Sequence, residues 1–177
     1  MEIVNIKGVD IPIVFSLSKE KGYMVLAHFG LINIILNEDD SRTFEDIIKR
    51  HPYRIIKMYN HMRNRMVYRT EEEYDDLCAK YFNKYEKELE VEAKEIIHAP
   101  LKIYELGYAD DNYTVILNCY MRFMPEDVLR LTIYHELCHL YTFKYLNTME
   151  HDEDFYNIFH QEFPKHENDR IMNPKPI

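Results

Sequence analysis

The sequence predicts an α+β protein, and three observations carry that reading. Short β-branched runs broken by turn residues fill the first third, apolar residues at helical spacing follow, and a second strand pair precedes two more helical segments. At 177 residues, with 46% hydrophobic and 30% charged side chains, one globular domain over 1–177 is expected. Its parts are β hairpins over 1–40, helices over 41–99, and a β hairpin plus two helices over 100–177.

Ile3 to Ile6, Ile11 to Leu17, Tyr23 to His28 and Leu31 to Leu36 read as strands, separated by Gly8-Val9-Asp10, Lys19 to Gly22 and Phe29-Gly30. They predict a small antiparallel sheet of hairpins. Pro12 lacks a ladder donor, so its strand belongs at an edge or begins there.

From Thr43 the period changes. Thr43 with Asp46, and Thr70 with Glu73, match the capping box that satisfies free N–H groups where a helix starts. After Thr70, apolar residues recur at helical spacing from Tyr74 through Ile96 and Ile97, so a long amphipathic helix is expected up to Ala99-Pro100. Leu101 to Tyr108 and Tyr113 to Asn118 then flank Ala109 to Asn112 as a second hairpin. Pro125-Glu126-Asp127 opens a largely apolar helix ending near Asn147-Thr148. A last helix runs from about Asp152 to Phe163, where Pro164 stops it.

Composition narrows the function. Net charge is −9, and local basic stretches such as Arg63, Arg65 and Arg69 are flanked by acidic ones, so stable binding to nucleic acid is not expected. Three scattered cysteines, without a Cys-x-x-Cys pair, make neither a disulfide framework nor a zinc ribbon. The start lacks a signal-peptide pattern, and no apolar run approaches bilayer length, so a cytoplasmic protein with no membrane partner is expected.

The chemistry concentrates in His135-Glu136-x-x-His139 on the apolar helix. Residues four apart share a helix face, so both imidazoles can reach one ion. Zinc takes imidazole nitrogen at roughly 2.0–2.1 Å, and a catalytic site keeps one position for water. Glu136, about 100° around the helix, can serve as general base to that water. Read instead as core histidines, the pair would bury two imidazoles and a carboxylate on one helix at considerable desolvation cost. Position 145 is Tyr, so a third histidine six residues after His139 is excluded. His151 is the chosen third ligand, with Glu150, Glu153 and Asp154 as competing carboxylates. His160 and His166, with Glu162 and Glu167, form a weaker cluster read as inert, as are His28, His51, His61 and His98. Cys138 should face the core.

Thr114-Val115-Ile116-Leu117-Asn118, Met124-Pro125-Glu126-Asp127-Val128-Leu129, Ile133-Tyr134-His135-Glu136-Leu137-Cys138-His139-Leu140 and His151-x-x-x-Phe155 together resemble the YgjP-like metallopeptidase domain, itself similar to SprT-like zinc proteases. The resemblance implies a zincin-like fold, zinc on His135, His139 and His151, Glu136 as base, and peptide or protein substrates. The chain departs from the family pattern in having no Trp-Gly-Ser-Cys segment; Gly107-Tyr108-Ala109 stands there. Its gap between His139 and His151 is closer to the SprT-like spacing. Zinc-dependent peptide hydrolysis is therefore expected. A non-catalytic zinc module would instead close its shell with Glu153 or Asp154, and a protease of DNA-bound proteins would need a basic groove beside the metal.

Overall fold

The computed structural model describes residues 1–102, 105–165 and Ile171, and the chain divides into two units, Met1–Met66 and one beginning at Val67. In the first, Lys7 and Gly8 take φ of 51° and 85°, and Phe29 and Gly30 take 51° and 74°. Two successive left-handed residues make the type I′ turn whose twist suits a tight hairpin. These turns join β1 (Glu2–Ile6) to β2 (Val9–Ser18), and β3 (Tyr23–His28) to β4 (Leu31–Asn37), as antiparallel pairs.

The hairpins meet through β2 and β4, which run parallel, giving the order β1-β2-β4-β3. The expected antiparallel hairpins are present, but the sheet they build is mixed. A hairpin's own alternation does not record which strand of the next hairpin it will meet. Pro12 pairs with Ile3, while pairing to β4 begins only at Ile13, so the missing donor falls where no second neighbour needs it.

Two helices complete this unit: α1 (Phe44–Arg50), started by the Thr43–Asp46 capping box, and α2 (Pro52–Arg65), with Pro at its first position. Ile47, Ile55 and Tyr59 of these helices bury against Ile6, Ile11, Ile13, Ile32, Ile34 and Leu36 of the sheet. The contributions of β2 and β4 to this cluster alternate along the strand, as a pleated sheet requires, while Asn33 and Ile35 of β4 are buried on the opposite face.

The second unit opens with α3 (Glu71–Leu89), started by the Thr70–Glu73 capping box. The helix stops ten residues short of Ala99, because Glu90 turns left-handed at φ 54° and caps it. Glu95–Ala99 is instead strand β5, paired parallel with β7 (Thr114–Asn118). Adjacent β-branched Ile96 and Ile97 fit a strand at least as well as a helix, and sheet pairing decides. The short β6 (Gly107–Ala109) pairs antiparallel with the other side of β7, as the expected hairpin, and forms the sheet edge. Asp110 shapes the turn, its Oδ1 accepting from the backbone N–H groups of Asn112 and Thr114.

A 3-10 turn (Cys119–Phe123) leads into α4 (Glu126–Leu146). Buried Asn118 holds this crossing: its amide donates to the Glu105 carbonyl at 2.9 Å and its oxygen accepts from Tyr120 N–H. Asn147, left-handed at φ 57°, ends α4, and Asp152 caps α5 (Glu153–Glu162). Glu162 accepts from Lys84 of α3 at 2.8 Å, Tyr85 of α3 at 3.0 Å and Arg130 of α4 at 3.2 Å, so one carboxylate ties three helices together. Among the described residues, no helix is long and apolar enough to cross a membrane.

Candidate metal centre

Helix α4 buries Leu137, Cys138 and Leu140 completely, and this fixes which way its other face points. His135 and His139, four residues apart, project together from that face beside Glu136. The reversal at Asn147 and the Asp152 cap return the chain so that His151 meets them. The three Nε2 atoms form a triangle with edges of 2.9 Å (His135–His151), 3.1 Å (His139–His151) and 3.2 Å (His135–His139).

That triangle has no satisfactory hydrogen-bonding solution on its own. A ring nitrogen of a neutral imidazole is either donor or acceptor, so among three mutual neighbours at least one pair must be alike. A cation removes the conflict, because all three nitrogens can then present lone pairs. Nitrogens about 2.05 Å from a tetrahedral centre stand about 3.3 Å apart, close to the observed edges. The donor set fits a metal ion, and these three histidines are the group of potential ligands that the described residues bring together. Glu150, Glu153 and Asp154 are not in that group.

The surroundings keep the rings in the ligating form. Burial, reinforced by the neighbouring imidazoles, holds His135 down at about 3, and burial with His151 holds His139 at about 4. His139 Nδ1 is buried without a well-aligned hydrogen-bond partner; the Met149 backbone is the nearby group that favours a proton there. A fixed proton on Nδ1 leaves Nε2 free to ligate. Phe155, fully buried, packs its ring 4.5 Å from His139 and 4.8 Å from His151, centroid to centroid.

Glu136 is 5% exposed, and burial pushes its carboxyl up to about 8 despite a hydrogen bond from Ala109 N–H. Strand β6 comes very near it. A Cβ built on Gly107 would stand 3.0 Å from Glu136 Cγ and Oε1 and from Thr132 Cγ2. Gly8, Gly22 and Gly30 adopt positive φ, whereas Gly107 is explained by this approach. A cleft of about 480 Å³ opens above the site between Gly107, Tyr108, Asp110 and Asp111 on one side and Met149 on the other.

Four of the remaining histidines have other partners. His51 Nε2 meets the Tyr23 hydroxyl at 2.5 Å, His98 pairs with Asp75 at 3.2 Å, and His160 Nδ1 meets the Phe163 carbonyl at 2.9 Å. His61 lies against Arg65, and His166 with Glu167 lies outside the described residues. Cys138 is buried in the core. Sequence reasoning passed over Gly107 and Ala109 as site residues. The available signal was a lone glycine inside a strand of the expected hairpin, without the Asn or Asp neighbour that marks a turn.

This geometry is that of a metallopeptidase, and the chain belongs to the YgjP-like metallopeptidase domain family, whose model matches residues 16–171. The family implies a metal ion and peptide or protein substrates. Two solved structures are similar: the metallopeptidase zymogen jannalysin of Methanocaldococcus jannaschii, 26% identical over 53% of this chain and 82% of that one, TM-score 0.47; and the zymogen abylysin of Pyrococcus abyssi, 20% identical over 53% and 87%, TM-score 0.45. No curated protein matches the chain.

Proposed function

We propose that this metallopeptidase binds zinc through Nε2 of His135, His139 and His151 and uses Glu136 as the general base that activates water for peptide hydrolysis. The observation that carries the reading is the nitrogen triangle with edges of 2.9–3.2 Å. Bound there, zinc would supply a Lewis acid that acidifies a water and polarises a peptide carbonyl. Neutral imidazole suits zinc, and the absence of a carboxylate from the group among the described residues supports an open fourth position over a closed structural shell.

Glu136 does the proton work. Its carboxylate takes a proton from the attacking water and passes it to the leaving amine, so the base is restored in each turnover. Ala109 N–H holds the carboxylate at the cleft wall. Asp110 N–H bonds Thr114 O, and Asn118 N–H bonds Leu106 O, which sets the parity of β6: Gly107 and Ala109 turn their backbone groups away from β7. The Gly107 N–H and carbonyl are thus placed to pair an extended peptide along the sheet edge.

Metal analysis of the purified protein tests the ligand set, with one zinc per chain expected and His151→Ala losing stoichiometric metal. Glu136→Gln should retain zinc while peptide turnover falls about 10²–10⁴-fold. Full-affinity zinc in His151→Ala, or undiminished turnover in Glu136→Gln, would overturn the assignment.

A further inference from the structure

We propose that the exposed face of α2 binds the phosphate backbone of a nucleic-acid strand. The net charge of −9 averages over a very uneven distribution: from Ile47 to Thr70 there is no Asp or Glu, and all 31 acids of the chain lie outside that stretch. Helix α2 carries Arg54, Lys57, Arg63 and Arg65 without one acid, and α1 ends on Lys49 and Arg50. The flanking acids that argued against a polyanion on sequence therefore begin only at Asp46 and Glu71.

Helical spacing gives two of these cations, Arg54 and Lys57, a common face. Arg54 and Lys57 are three residues apart and exposed, on the side of α2 opposite the buried Ile55, Tyr59 and Met62. Exposed Asn60 and Asn64 continue the same side, and Tyr53, 73% exposed, stands at its start. Guanidinium, ammonium and amide groups bind phosphate and sugar oxygens, and an exposed aromatic offers a base a stacking surface. An anionic lipid surface fits less well. A helix that lies on a membrane inserts an apolar face, and the apolar face of α2 is already committed to its own core.

The test is fluorescence anisotropy of a labelled mixed-sequence DNA strand titrated with the full chain at several salt concentrations. Affinity should fall about tenfold or more between roughly 50 and 200 mM salt, as counterion release requires. The double variant Arg54→Glu/Lys57→Glu should lose about tenfold or more at low salt, and Arg54→Gln/Lys57→Gln, the milder change, a smaller but clear amount. Lys87→Glu/Lys165→Glu, with the same change in net charge elsewhere, should bind like the parent chain. The idea falls if the DNA strand does not bind at low salt or if both charge reversals weaken it equally. It also falls if the α2 variants lose only binding to phosphatidylserine vesicles, or only self-association seen by light scattering.

Discussion

The ring of Phe155 sits 4.9 Å from that of His135 and 4.5 Å from that of His139, so one buried aromatic braces both histidines of α4. It touches His151 as well, at 4.8 Å. Close packing leaves each imidazole little freedom to rotate, which is how an apolar wall pre-organises ligands without bonding to the metal. Phe155→Leu keeps most of the volume but removes the flat surface. Zinc affinity should fall about tenfold, in the range seen when groups that orient ligands are altered. Competition titration with a chromophoric chelator reads this directly, and unchanged affinity would reduce Phe155 to ordinary core packing.

Proton release gives an independent view of Glu136. In the metal-free protein its carboxyl is pushed up to about 8, so it is mostly protonated at pH 7, while His135 and His139 are already neutral. A dication beside Glu136 favours the carboxylate, and metal binding should expel that proton. Calorimetric zinc titrations in buffers of different ionisation enthalpy count the protons released. Glu136→Gln should lower the count by about one at pH 7; an identical count in both proteins would contradict the buried, protonated acid.

Much of this was legible in the sequence. Both capping boxes, the Pro125 start and Asn147 end of α4, and the shared face of His135 and His139 follow from local patterns with fixed spacing, whereas His151 competes in the sequence with Glu150, Glu153 and Asp154 and joins the pair only in the fold. What stayed hidden depends on partners distant in the chain. Ile96 and Ile97 continue a helical period yet belong to β5, because β7 is available to pair with them. The parallel contact of β2 and β4, and the approach of Gly107 to Glu136, are likewise settled by tertiary packing.

The buried groups also set how the metal-free fold responds to pH. His135 and His139, held at about 3 and 4, stay neutral where the unfolded chain takes up protons below about 6.5, so both destabilise the fold as pH falls. Glu136 acts in the opposite sense. Raised to about 8, it keeps a proton in the fold that the unfolded chain releases above about 4.5, and its contribution is lost as pH rises. From about 4.5 to 6.5 two opposing imidazoles outweigh one carboxyl, and above 6.5 the carboxyl acts alone. Stability should therefore peak near pH 6.5, with limbs of at most about 1.4 kcal/mol per pH unit. Urea unfolding of the chelator-treated protein across this range measures both limbs. Glu136→Gln should flatten the alkaline one, and a decline that persists there would assign it to other groups.

Gly107 provides the sharpest test of how β6 and α4 share the site. It lacks a positive φ, so alanine is compatible with its backbone, and only the space beside Glu136 opposes a side chain. The added methyl would stand 3.0 Å from Glu136 Cγ and Oε1 and from Thr132 Cγ2, tighter than ordinary van der Waals contact. Thr132 is held by its hydroxyl bond to the Val128 carbonyl at 2.9 Å, so the Glu136 carboxylate is the group that must yield. His135, His139 and His151 are not in that contact, and metal content should be preserved. A base displaced by even part of an ångström loses alignment with its water, and such misplacement can cost about 10²-fold in rate. Gly107→Ala should thus lower kcat by about tenfold or more with zinc affinity unchanged, and Gly107→Val by a larger factor. Full turnover in Gly107→Ala would mean that Glu136 is either free to move without penalty or not the base, and the Glu136→Gln variant separates those outcomes.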